Sequence, residues 1–141
     1  YKIKKIWTNF YPNSVGLLYS TITDYLGFEI NEGEFKVMSL SSFGKPVYVS
    51  ELKKIFDVDN FKINMDYFEF HKSPSKSFSK KLCELFGEPY LNISEKKNFN
   101  KYADIASSTQ LILENTMKNH SKVGGKFFHI QLKIHCKIKI F

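Results

Sequence analysis

Residues 12–46 read PNSVGLLYSTITDYLGFEINEGEFKVMSLSSFGKP. Val15, Leu18, Tyr19, Ile22, Tyr25 and Leu26 fall at i, i+3, i+4, i+7, i+10 and i+11, one face of a helix. Asn13 or Ser14 is placed to cap its start, and Gly27 to end it in the left-handed conformation. Asn31, Glu32 and Gly33 then read as a turn. Residues 34–40 read as a second, short helix, with Glu34, Lys36 and Ser39 in its N-terminal region, where backbone N–H groups are free and anions are favoured.

Working outward, residues 1–7 alternate weakly and predict a strand, and residues 46–56 a third helix with Tyr48, Leu52 and Ile55 on one face. In FKINMDYFEF (61–70), Phe61, Ile63 and Met65 alternate with Lys62, Asn64 and Asp66, which predicts a half-buried strand. Tyr67, Phe68 and Phe70 read as core. KSFSKKLCELFGEP (76–89) predicts a short helix with Phe78, Leu82, Leu85 and Phe86 inward, stopped by Gly87. The longest helical pattern runs over residues 94–119. Ser94 is placed as its cap, and Tyr102, Ile105, Ala106, Thr109, Ile112, Leu113, Thr116 and Met117 form its buried stripe.

The chain has 141 residues, 43% of them hydrophobic, with 14 Phe and 8 Tyr, enough for one domain with a core. No run approaches the roughly 18 apolar residues of a membrane span, and no signal peptide is visible, so a cytoplasmic location is expected. Cys83 and Cys136 are too few for a disulfide framework. The net charge is +7, but every basic residue is Lys. Specific nucleic-acid readers rely on Arg for bidentate base contacts, so scattered lysines argue against such a surface.

Three segments carry a resemblance: SVGLLYSTITDYLGF (14–28), NEGEFKVM (31–38) and FGKP (43–46). They are similar to the central signature of the nodulation- and antibiotic-type O-carbamoyltransferases. LFGEP (85–89) and YADIASSTQLILE (102–114) continue it in order. VGGKFFHIQLK (123–133) resembles the family's glycine-pair phosphate element, with Lys126 replacing an apolar residue and His129 standing where Asn is expected. NHSKV (119–123) is polar where an apolar strand would lead into the glycines, so residues 122–141 read as a divergent tail.

The resemblance implies an α/β fold: part of an actin/Hsp70-like (ASKHA) nucleotide-binding domain, helix-rich with a few strands, spanning residues 1–141. It implies an O-carbamoyltransferase using ATP and carbamoyl phosphate, which makes a carbamoyl-adenylate and passes the carbamoyl group to an acceptor hydroxyl on a small molecule or sugar. Its nucleotide- or phosphate-binding residues are expected at Gly16, Glu34, Lys36, Gly124, Gly125 and His129, with Lys36 and the glycine-pair amides stabilising developing charge. In the wider superfamily, which includes the tRNA threonylcarbamoyl-transfer ATPase, a Glu and an Asp after the glycine contact ribose. Leu17 and Ser20 occupy those places, so that contact does not carry over.

A divalent metal is expected in the full-length family, on an HxxH motif that this sequence lacks. His129, His135 and Cys136 do not have the spacing of a metal site. The family's several hundred residues and the start at Tyr1 lead us to expect a fragment, inactive without the rest of the catalytic domain and the C-terminal domain. The alternative is a catalytically dead relic or a basic interaction module.

Overall fold

The computed structural model describes residues 8–73, 76–90 and 98–124, with side chains described up to Asn119. The strand expected over residues 1–7, the Ser94 cap, Gly125 and His129 lie outside the described residues.

Helix α1 spans Val15–Tyr25. Its expected cap is in place: Ser14 has extended backbone, and its Oγ accepts from Gly16 N at 3.2 Å and Leu17 N at 3.4 Å. The helix ends at Gly27, whose φ is +75° and whose added Cβ would run into the Tyr90 carbonyl oxygen. Helix α2 covers Glu34–Ser41 and α3 covers Val49–Ile55.

Strands β1 (Phe56–Asp57) and β2 (Lys62–Ile63) form an antiparallel pair, Phe56 opposite Ile63. The longer strand expected over residues 61–70 does not form. Phe61 sits at φ +53°, and the Asn64 side chain accepts from Asp66 N at 3.2 Å. That turns the chain into a 3-10 turn over Met65–Tyr67. Phe68 then makes an isolated antiparallel bridge with Phe78.

Helix α4 is Lys80–Phe86, starting later than the pattern suggested. The chain before it is held extended by that bridge and by Asp24, whose Oδ2 accepts from Ser77 N at 2.9 Å and Ser77 Oγ at 2.5 Å. Helix α5 runs Phe99–Gly124. The helix thus runs past the end expected at Asn119, and residues 121–124, which include the start of the expected divergent tail, are helical.

Helix α5 is the spine against which α1, α2 and α3 pack. Ile22, Tyr25, Val37, Leu52, Ile55, Phe56, Phe68, Leu82, Ile105 and Ile112 are buried at its interface with them and around it. This is a helix-rich α/β arrangement with a small two-stranded sheet. Among the described residues no helix is long and apolar enough to cross a membrane.

The α2–α3 connection explains two quoted segments. Lys45 N donates to Asp104 Oδ1 at 2.6 Å, and Tyr48 N donates to Ser108 Oγ at 3.0 Å. A Cβ on Gly44 would overlap the Ala103 carbonyl. FGKP and DIASS therefore lock together: the glycine admits the backbone of α5, and the aspartate and serine accept from loop N–H groups.

Candidate functional site

Gly16, Tyr19 and Ser20 share one side of α1, because residues three and four apart in a helix lie above one another. Gly16 is exposed, and an added Cβ would meet only Ser14 Oγ, at 3.3 Å. The surface beside it is open, so close approach of a ligand is geometrically available there.

One turn later Ser20 Oγ donates to Glu34 Oε1 at 2.9 Å, which ties α1 to the first residue of α2. Asn31 N donates to the same oxygen at 3.0 Å. Gly33, the residue before the helix, makes no side-chain cap. Glu34 thus supplies the first-turn anion from within the chain. Burial pulls its carboxyl upward, but the hydrogen bonds from Asn31 N–H and the Ser20 hydroxyl hold it below the usual glutamate value.

Lys36 goes a different way. Its Nζ lies 5.9 Å from the Phe28 ring centroid and 5.8 Å from that of Phe35, an exposed cation resting on two aromatic faces.

Tyr19 links this corner to α5. Its hydroxyl donates to Gln110 Oε1 at 3.1 Å, and Gln110 Nε2 donates to Glu114 Oε1 at 3.0 Å. Lys118 Nζ approaches Glu114 Oε2 at 3.9 Å. Burial pushes the Tyr19 phenol above its ordinary value, and the Glu34 and Glu114 carboxylates push it further. The result is a half-buried polar corner made of two carboxylates, a phenol, an amide and a hydroxyl. It is rich in acceptors, which suits the hydroxyl groups of a ligand more than its phosphates.

Of the residues expected from the sequence, the structure brings Gly16 and Glu34 to this corner. Lys36 stands beside it on the α2 surface, and Gly124 lies in α5. Tyr19, Ser20, Gln110 and Glu114 were not anticipated as site residues. One signal for the last two was present: Gln110 and Glu114 are polar residues four apart, at the edge of the buried stripe, inside the segment that resembles DIAxSxQxxLE.

No group of three or more His, Cys, Asp or Glu suited to a metal occurs among the described residues. Glu34 and Glu114 lack a third ligand, and each is engaged with a hydrogen-bond donor. These residues do not fit the divalent metal that the resemblance implies.

A family model described as carbamoyltransferase N-terminus matches residues 1–136. The uncharacterized protein sll1178 of Synechocystis sp. (strain ATCC 27184 / PCC 6803 / Kazusa) is 38% identical over 112 residues, covering 77% of this chain. The matched part is 18% of that relative's own length. No solved structure matches the chain.

Proposed function

Because the chain belongs to the carbamoyltransferase N-terminus family, we propose that it forms part of an enzyme that moves a carbamoyl group from carbamoyl phosphate to an acceptor hydroxyl, by way of a carbamoyl-adenylate made with ATP. It would do so as part of an actin/Hsp70-like nucleotide-binding domain. The observation that supports this reading is the meeting of three family segments in one corner. SVGLLYS supplies Gly16, Tyr19 and Ser20, GEF supplies Glu34, and QLILE supplies Gln110 and Glu114.

In this reading the open backbone at Gly16 admits the ligand, and the carboxylates and phenol orient its hydroxyl groups. Lys36 is the nearby cation that can face a phosphate or the oxygen on which negative charge develops. A carbamoyl-adenylate is a mixed anhydride, already activated toward attack. The protein's part is therefore to position it against the acceptor and exclude water.

The test is ATP binding, with carbamoyl phosphate present, to the Synechocystis relative carrying this chain in place of its matched segment. Gly16→Leu and Glu34→Ala are expected to weaken binding tenfold or more. Absence of ATP binding, or binding that neither change alters, ends the reading.

One observation favours a second reading, a non-catalytic relic. Gly124 lies in helix α5 rather than after a strand, so it does not follow the strand that the phosphate element requires. Lys126→Val with His129→Asn in the same spliced protein separates the two. Tighter ATP binding supports the phosphate element, whereas unchanged binding supports the relic.

A further inference from the structure

An exposed aromatic surface extends from Phe35 of helix α2 to Phe43, just beyond that helix, and Phe99 at the start of α5. Phe35 is 61% exposed, Phe43 72% and Phe99 44%. These are not scattered residues. Lys36 Nζ bridges the Phe35 and Phe28 rings. Phe28, Leu40 and Phe99, with Leu26, Tyr90 and Tyr102, line one cavity of about 230 Å³. Phe99 in turn meets Phe43 edge to face, centroids 6.0 Å apart. The patch therefore runs from Phe35, across the Lys36 ammonium to Phe28, and through the cavity to Phe43. Single exposed apolar residues need no explanation, but a contiguous aromatic patch with a pocket at its centre marks a contact surface.

We infer that this face is the docking surface for the remainder of the carbamoyltransferase polypeptide, the part of family members that lies outside the matched segment. The argument is one of extent and chemistry. The segment similar to this chain is 18% of the Synechocystis relative, so in that protein a far larger body of chain is covalently tied to this domain. A tethered body has a high effective concentration at every exposed face, and it takes the face that removes the most apolar surface from water. The cavity accepts one large apolar side chain as an anchor. The inference rests on family membership alone and is independent of the activity proposed above.

The experiment uses cysteine protection, with Cys83 and Cys136 changed to Ser. Phe43→Cys reports the face, and Val37→Cys, at a position fully buried in the core, reports folding. Maleimide labelling is compared between the 141-residue chain and the Synechocystis relative carrying this chain in place of its matched segment. Position 43 is expected to label at least tenfold more slowly in the spliced protein, while position 37 stays protected in both. Equal labelling at position 43 overturns the proposal. So does protection already present in the isolated chain, or protection there that grows with its concentration, since the occupant would then be the chain itself or a second copy. If position 37 labels fast in the spliced protein, the splice has not folded. The same two positions are then read in the intact relative, at its aligned residues, where a rapidly labelled surface position likewise overturns the proposal.

Discussion

The Ser20 hydroxyl donates to Glu34 Oε1 at 2.9 Å, and through this bond the middle of α1 holds the first residue of α2, 14 positions later in the chain. The same oxygen accepts from Asn31 N at 3.0 Å. One carboxylate thus closes a turn, places a negative charge in the first turn of a helix that lacks a side-chain cap, and joins two helices. Glu34→Ala is expected to cost about 1.5 kcal/mol, because two donors lose a charged acceptor. The sign of the pH dependence follows from the carboxyl being held below its usual value. Its contribution is fully present above the ordinary glutamate range and is lost as pH falls through the lower folded value. Denaturant unfolding from neutral to acid pH should show wild type and Glu34→Ala converging on the acid side. A constant gap would mean that the carboxylate charge is not what stabilises the turn.

Gly44 and Gly16 give opposite expectations from the same substitution. A Cβ on Gly44 would occupy the space of the Ala103 carbonyl, so the α2–α3 connection and α5 must separate to admit it. Gly44→Ala is expected to destabilise by about 3 kcal/mol. A Cβ on Gly16 meets only Ser14 Oγ. Gly16→Ala is expected to change stability by less than about 1 kcal/mol, since the helix-propensity gain offsets a slight shift of the cap. Thermal or urea unfolding of the pair decides it. A large loss at Gly16 would mean that the glycine serves packing and not access.

Helix α1 was readable because its signals are local. Ser14, the apolar spacing and Gly27 lie within fifteen residues, and each acts on its own helix. Residues 61–70 were misread because their alternation is overridden. Phe61 takes a positive φ, Asn64 caps a turn, and Phe68 pairs with Phe78 rather than continuing a strand with its neighbours. The start of α4 failed for the same reason, since Ser77 is held by Asp24 from 53 positions away. Gly16 and Glu34 were legible as motif letters. The Tyr19–Gln110 bond was not, because it spans 91 positions and helical periodicity says only which side of each helix is buried, not what meets it there.

Tyr25 shows how the LFGEP segment is fixed. Its hydroxyl lies 2.9 Å from the Gly87 carbonyl oxygen and 3.1 Å from that of Glu88, and its own carbonyl accepts from Tyr90 N at 3.0 Å. The ring packs edge to face on Phe78 at 5.5 Å. Tyr25→Phe keeps the ring contact and removes the hydroxyl, so a loss of about 1 kcal/mol is expected. Tyr25→Ala removes both and is expected to cost about 4 kcal/mol. Comparable losses from the two changes would show that the hydroxyl, not the ring, holds the segment.

Tyr19 is the group whose titration reports on the polar corner. Burial and the two nearby carboxylates raise its phenol above the ordinary value near 10. In the folded chain the proton is therefore held more tightly than in the unfolded chain. The associated stability is complete below pH about 10 and falls as pH rises above it, because only the unfolded state releases the proton. Tyr19→Phe deletes this slope together with the bond to Gln110. At neutral pH the variant is expected to be less stable by about 1 kcal/mol, and the gap should narrow under alkaline conditions. Ultraviolet titration should lose one late-ionising phenol in the variant. If Tyr19 ionised with the exposed tyrosines, the Tyr19–Gln110–Glu114 chain would be open to water, and the corner could not hold a ligand hydroxyl apart from solvent.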